Sequence, residues 1–318
     1  MDNNVSKKTN SHNFFKLRLN QEKLGISVKN LLKQELLLIL DLYQQKLKMS
    51  IEPELVQNLL AAKITISPNK SSHLSQAQFL PIIYACPLGL SLATNLQQSP
   101  PIIMQQIGYL LTDKDESNLE QGQLLTEIVP LGWINFYLDA KLIAEWLGRS
   151  LFWSQSNIID EQQSTSRAIY TIDKTPPQLF PVQYIHARCC SLLRLAAREN
   201  LITLVTNLEQ IKQPQSISWL DPEHNLWLRE VAEHNLLQQL LIVSDAWLEN
   251  THVRRWSKLA LSLSQNTAIF LADCRFLGEV KQQYPQKAIA RLGLITLVKF
   301  WLEKILVEKL KVAAPREL

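Results

Sequence analysis

The scarcity of glycine constrains this chain more than any other feature. Only 8 of its 318 residues are Gly, and the 129 positions from 149 to 277 contain none. The usual share is about 7%. A GxGxxG dinucleotide loop and a phosphate-binding P-loop both need clustered glycines, because backbone N–H groups must approach phosphate through a tight turn. No such cluster occurs, so both classes of nucleotide loop are excluded. Collagen-like, Gly/Ser-linker and many-turn all-β architectures are disfavoured on the same ground. Leu and Gln are abundant and favour helix. With 46% hydrophobic residues the chain can bury a sizeable core, and its length suggests about two domains. A mainly α protein is expected.

Apolar periodicity divides the chain. After a polar start, 27–47 reads as an amphipathic helix, with Val28, Leu31, Leu32, Leu36, Ile39 and Tyr43 recurring near the helical period. Pro53 opens a short helix to about Ala62, since Pro suits a first turn. Residues 63–67 (KITIS) alternate like a short strand. The Pro-bounded stretch 79–111 reads as two helices broken near Pro100 and Pro101. Residues 124–138, rich in β-branched and aromatic side chains, read as strands. These elements make an N-terminal α+β domain over 1–150. Residues 151–181 read as a linker, because 154–181 lack periodicity and Pro176, Pro177 and Pro181 block helix extension. From Val182 onward the pattern is helical. Val182, Ile185, Cys189, Leu192 and Ala196 mark one apolar stripe, and 226–247, 256–277 and 289–310 continue the theme. Four helices of about 20 residues make a bundle over 182–318.

The net charge of +4 is unevenly placed. Residues 1–50 carry nine Lys/Arg against four Asp/Glu, and the rest of the chain sums to −1. The basic start suits nucleic acid or an anionic surface, and equally a solvated lysine-rich helix. The four cysteines at 86, 189, 190 and 274 form no CxxC, and neighbours such as Cys189 and Cys190 rarely pair, so reduced thiols in a cytoplasmic protein are expected. The polar start shows no signal peptide, and the apolar runs near 36–40 and 292–302 are short and broken by charge, so no membrane role is expected.

Catalytic patterns are missing. The six histidines form no HxxxH or HExxH pair that could hold zinc. No GxSxG marks a nucleophilic serine. Cys189 lies on the inward stripe, where a buried, inert thiol is expected. Asp113, Asp115 and Glu116 read as a solvated turn. No nucleophile–base arrangement can be assembled, so no enzyme activity, metal or cofactor is expected.

Two segments carry a resemblance to a known family. Gly132-Trp133-Ile134-Asn135-Phe136-Tyr137-Leu138 is similar to the GFINFxL segment that closes the N-terminal additional domain of arginyl-tRNA synthetases, the part that touches the tRNA elbow. Val182-Gln183-Tyr184-Ile185-His186-Ala187-Arg188-Cys189-Cys190-Ser191-Leu192-Leu193-Arg194 resembles the VQYAHARICSILR helix that opens the family's DALR-type anticodon-binding domain. Asp273-Cys274-Arg275-Phe276-Leu277-Gly278 resembles its ACRVLG segment. Ala290-Arg291-Leu292 resembles its penultimate helix, and Ala314-Pro315-Arg316-Glu317-Leu318 its APERM segment. The resemblance implies an N-terminal α+β additional-type domain followed by an all-α DALR anticodon-binding helix bundle. It also implies tRNA as partner, with arginine tRNA as the named candidate.

The resemblance leaves out the middle of a synthetase. In the family a class I catalytic domain separates the two segments; here 43 residues lie between Leu138 and Val182. No HIGH motif occurs. Lys48-Met49-Ser50 lacks the second Lys-Ser of KMSKS and precedes every other family segment. Those loops hold ATP phosphates and stabilise charge on the transferring group, so adenylate formation has no site. The resemblance implies tRNA contact without aminoacylation.

The tRNA-binding candidates are Tyr84, Gln183, Tyr184, His186, Arg188, Arg194, Arg198, Phe270, Arg275 and Leu318. Tyr84 lies in 83–87, which stands for the family's GDYxTN-like segment but lacks its Asn, a group suited to a base edge. Phe270 neighbours Leu271, which aligns with a stacking aromatic, and Leu318 replaces a terminal Met that packs on anticodon bases. A stacking platform contributes about 1–3 kcal/mol per base, so these departures bear on specificity for arginine tRNA. Arg194 and Arg198 share one helix face, with Arg188 about 80° from Arg198. They either grip phosphate or form a solvated basic face with local ion pairs. Tyr184 and His186 either meet RNA or pack under the linker, while Asn135 and Phe136 shape a strand. The expected function is tRNA binding by a non-catalytic synthetase-like protein. A protein-interaction scaffold that has lost RNA binding, and an accessory subunit of aminoacylation, are the alternatives.

Overall fold

The computed structural model of the chain describes residues 13–18, 25–47, 64–66, 82–112, 123–129, 131–156, 177–205, 209–249 and 253–318. The expected helix over 53–62, most of the expected linker, the 48–50 segment, the acidic turn at 113–116 and the histidines at 12, 73 and 252 lie outside the described residues. The chain divides into two compact units. One holds the larger sheet with its helices and ends at Asp139; the other takes up 25–30 and everything from Ala140.

In the first unit five strands make one antiparallel sheet: β1 (Asn13–Arg18), β2 (Thr65–Ile66), β3 (Ile82–Cys86), β4 (Gln123–Val129) and β5 (Trp133–Leu138), in the order β1-β4-β5-β3-β2. The helices are α1 (Val28–Leu47), α2 (Leu88–Leu96) and α3 (Pro100–Thr112). Strand alternation sets the core face. Leu124, Thr126, Ile128, Ile134, Phe136, Leu138, Ile82, Tyr84 and Cys86 are all buried on one side. On the other side Glu127 pairs in register with Asn135, and its Oε2 accepts from Asn135 Nδ2 at 3.0 Å and Tyr137 Oη at 2.5 Å. The stretch expected as two helices thus begins with a strand. The run Ile82-Ile83-Tyr84-Ala85-Cys86 is buried at every position between β5 and β2, where β-branched and aromatic side chains fit a two-sided strand, and Pro87 ends the ladder. Gly132 closes the β4–β5 turn at φ +97°, where a Cβ would also meet Pro100 Cβ at 2.9 Å.

The second unit is helical: α4 (Ala140–Ser156), α5 (Phe180–Arg198), α6 (Val231–Trp247), α7 (Val253–Asp273), the short α8 (Glu279–Gln283) and α9 (Pro285–Lys304) with a π turn over Ile305–Lys309. It also carries a hairpin, β6 (Thr203–Val205) with β7 (Gln210–Gln213). α4 runs unbroken through 150 into the segment expected as linker, and it packs on α9. Its apolar face, led by the fully buried Trp146 and Leu147, needs a partner, and Trp146 Nε1 donates to Ile26 O at 2.9 Å. The units therefore part at Asp139/Ala140.

α9 is the axis of this unit. From Arg291 to Leu302 every residue is buried, as in a helix enclosed on all sides. Gly293 admits the Trp219 ring: a Cβ there would meet Ile217 Cδ1 at 2.7 Å and the ring itself closer still. The charges on α9 are neutralised where they lie, Lys299 by Glu303 at 3.2 Å and Lys304 by Glu308 at 2.8 Å. Lys304 and Lys309 also sit over the aromatic cluster of Trp153, Trp247, Trp256 and Phe300, with Lys309 Nζ 4.3 Å from the Trp247 centroid. Among the described residues no helix is long and apolar enough to cross a membrane, and no His/Cys/Asp/Glu group could hold a metal ion.

Candidate nucleic-acid interface

α5 presents three longitudinal strips. Val182, Ile185, Cys189, Leu192, Leu193 and Ala196 are buried in the bundle. Phe180, Tyr184, Arg188 and Arg198 are exposed, with Ser191 and Leu195 half-buried among them, and at 100° per residue all six fall on one stripe. The flank between holds the C-terminal segment. Gln183 Nε2 donates to Ala313 O at 2.8 Å, and His186 Nδ1 lies 2.7 Å from Pro315 O. A carbonyl only accepts, so the imidazole proton sits on Nδ1. Arg194 donates from Nη1 to Glu209 Oε1 at 2.8 Å and from Nη2 to Arg316 O at 3.3 Å, and meets Glu317 Oε1 at 3.3 Å. Arg316 Nε reaches the other oxygen of Glu209 at 3.5 Å. As the helix advances from 183 to 194 its partners advance from 313 to 317. The last residues therefore run beside α5 in the same direction, and Leu318 ends 57% exposed.

The sequence candidates separate on this geometry. Tyr184, Arg188, Arg198 and Leu318 are exposed in the second unit, and Arg275 is exposed just beyond α7. Among the described residues the side chains of Arg188, Arg198 and Arg275 make no ion pair, which leaves three cations for an outside anion. Gln183 and His186 are buried and hold the C-terminal segment instead. Arg194, expected beside Arg198 as a phosphate grip, is committed to Glu209 and to 316–317, because its place on the flank points it along that segment. Phe270 and Tyr84 are buried in their respective cores at 0% and 1% exposure and present no ring to a base. Leu271, beside Phe270, is half-buried and is not aromatic.

Burial also fixes the protonation of this region. It lowers the His186 pKa against the smaller opposing pull of Glu303, so the ring is neutral and keeps its single donor on Pro315. Burial raises all three bundle thiols, with Cys190 and Cys274 pushed up to about 12. They are inert, as their place on inward faces predicts.

Sequence reasoning missed two supports. Glu209 lies on the hairpin and joins Arg194 to Arg316; nothing in its local sequence marks it. Glu233 is fully buried, and its Oε1 accepts from Arg291 Nε at 2.6 Å while Arg291 Nη1 donates to Arg275 O. The other Glu233 oxygen accepts from Glu230 N in a capping box that starts α6. The Glu230-x-x-Glu233 spacing was the available signal. Through Arg291, one buried carboxylate sets both the start of α6 and the loop that carries Arg275.

The second unit is thus a helical bundle whose α5 exposes an aromatic and unpaired arginines beside a pinned C-terminal segment. Residues 182–318 match the DALR anticodon binding domain family, and this part of the chain is a DALR domain. Among curated proteins the chain is similar to the arginine–tRNA ligase of Gloeobacter violaceus, 29% identical over 132 residues, 40% of this chain and 20% of that protein. It is likewise 29% identical over 140 residues to the arginine–tRNA ligase of a Synechococcus strain, 43% of this chain and 22% of that protein. These matches lie in the DALR part, and the chain spans about a fifth of the length of either relative. No solved structure matches. The C-terminal domain thus gives the chain a tRNA-related character.

Proposed function

We propose that the chain binds tRNA without aminoacylating it, through the exposed stripe of α5 together with Leu318 and Arg275. The observation that carries this reading is the clamp of Gln183, His186 and Arg194 on 313–317. It commits the buried Gln183 and His186 and the half-buried Arg194 to holding 313–317, next to the exposed Leu318, alongside a helix whose Tyr184, Arg188 and Arg198 remain free. Tyr184 offers a stacking surface and the arginines meet phosphate, the division of labour common in protein–RNA interfaces. Residues 1–150, which take in the first unit, are read as the elbow-contacting module, and arginine tRNA as the first RNA to try. A cytoplasmic location accords with tRNA binding and with buried cysteines that form no disulfide.

The experiment is a gel-shift titration with total tRNA across salt. Each phosphate contact contributes roughly 0.7–0.9 to the slope of log K against log salt, so Arg188→Ala with Arg198→Ala reduces the slope by about 1.5. Absence of salt-dependent binding below about 10 μM sinks the proposal. One observation favours a second reading, a protein-interaction scaffold: Leu90, Ile102 and Leu131 expose apolar surface at 45, 49 and 75% in the first unit. Adding the protein to a synthetase assay tests the third, an accessory role, which an unchanged rate excludes.

A further inference from the structure

An open cleft lies at the other end of the bundle. α5 starts beside the end of α9, where His186 feels Glu303, and ends near the start of α9, where Lys281 of α8 donates to Glu199. The 20 residues of α9 span about 30 Å. At its start, far from Tyr184, an open cleft of about 440 Å³ is lined by Glu223, Trp227 and Tyr284 together with Asp221, Arg229 and Lys287. That volume falls in the range of small-ligand pockets.

The cleft is built rather than incidental. Its loop is over-determined: Asp221 Oδ1 accepts from the backbone N–H of Glu223 and of Asn225, each at 2.9 Å, and Leu220 bridges to Leu226. Arg229 pairs with Asp221 and donates from Nε to Leu226 O at 3.0 Å. Trp227 is half-buried on this loop. Tyr284, 52% exposed, is fixed opposite as the residue before Pro285 at the start of α9. A wall held this firmly loses little entropy when a ligand arrives.

Charge selects the ligand. Both cations of the lining are already neutralised, Arg229 by Asp221 and Lys287 by Glu230 at 3.1 Å. Among the described residues the Glu223 carboxylate, the Tyr284 hydroxyl and the Trp227 indole N–H have no partner. The cleft therefore offers aromatic surface and a hydrogen-bond acceptor, but no free positive charge for a phosphate. An uncharged planar ring bearing N–H donors fits that description. We infer that the cleft at the start of α9 binds a nucleobase with an exocyclic amine (adenine, cytosine or guanine) between Trp227 and Tyr284, with Glu223 accepting the amine. The inference extends the RNA reading above to a separate contact, made to a base and not to the backbone.

Free nucleosides are the probe, because they carry the base without phosphate. The Trp227 indole N–H has no acceptor among the described residues and serves as the reporter in a ¹⁵N–¹H correlation spectrum. Millimolar adenosine, cytidine and guanosine shift that signal saturably, and uridine, which lacks the amine, shifts it less. Tyr284→Ala weakens the cytidine response by about tenfold, in line with the loss of one stacked ring. Tyr284 is exposed, so the fold survives, and Tyr284→Phe keeps the response. Glu223→Gln removes the preference of cytidine over uridine. A signal unmoved by any nucleoside overturns the inference, as does a response that Tyr284→Ala leaves intact, or a signal moved only by free arginine. Failure here is separable from failure of the tRNA reading. Tyr184→Ala and Arg188→Ala weaken tRNA binding without touching the nucleoside response, and loss of the nucleoside response leaves the salt-dependent tRNA titration in place.

Discussion

His234 and His186 show how single buried residues set the acid limit of this fold. Both are almost wholly buried; burial brings His234 down to about 4 and lowers His186 against the smaller opposing pull of Glu303. Gln238 Nε2 lies 3.1 Å from His234 Nε2, an amide donor suited to a neutral imidazole acceptor. In the unfolded chain both rings titrate near 6.5. Above that pH neither state binds the proton, and stability is independent of these groups. As pH falls below 6.5 the unfolded state takes up protons that the folded state refuses, so stability declines. For His234 the decline continues to about 4. Between pH 7.5 and 5.0 the His234 ring accounts for about 2 kcal/mol. Urea denaturation at the two pH values tests this: His234→Gln, whatever its absolute stability, should lose about 2 kcal/mol of the pH dependence. An unchanged difference would show that His234 is protonated in the folded state.

At the scale of elements, the pair Arg291–Glu233 couples three pieces of backbone: the start of α6, the middle of α9 and the loop after α7. Breaking a buried pair costs about 3–5 kcal/mol because the remaining charge is stranded, whereas replacing both members by apolar residues is often neutral. Arg291→Met alone should therefore destabilise the bundle by several kcal/mol in urea, and Glu233→Leu added to it should restore most of the loss. The double variant still lacks the donor to Arg275 O, so its RNA salt slope should fall as it does for Arg275→Ala. The same scale shows what periodicity could reveal. The helices at 28–47, 180–198 and 253–273 follow repeats of apolar residues and lie close to their expected bounds. The strand at 82–86 does not, because a run buried on both faces has no alternation to read. The helix expected from 226 starts at Val231, where the capping box outweighs the apolar run before it. Among the site residues, side-chain type was legible but direction was not. Gln183, His186 and Arg194 differ from Tyr184 and Arg188 only by their angle around α5, and what occupies each side of that helix is decided by residues more than 100 positions away.

For the whole molecule the decisive quantity is where positive charge is kept. The chain beyond residue 50 sums to −1, and many of its described cations are spent internally, among them those on Glu209, Glu233, Glu303 and Glu308 or over tryptophan rings. The surplus of +5 lies in residues 1–50. Non-specific attraction to a polyanion scales with the number of cations that displace counterions, whereas discrimination comes from groups that touch bases. The two should therefore separate by mutation. Replacing Lys7, Lys8, Lys16, Arg18 and Lys23 by Gln should flatten the salt slope for any tRNA by up to about 4, while leaving the ratio of affinities between different tRNAs nearly unchanged. Tyr184→Ala or Leu318→Ala should do the reverse, preserving the slope and compressing the ratio, since these uncharged side chains would meet bases and not phosphate. Binding of several purified tRNAs at three salt concentrations checks both halves. If the lysine substitutions compress the ratio as well, the basic start takes part in recognition itself, and the DALR bundle is not the sole reader of the RNA.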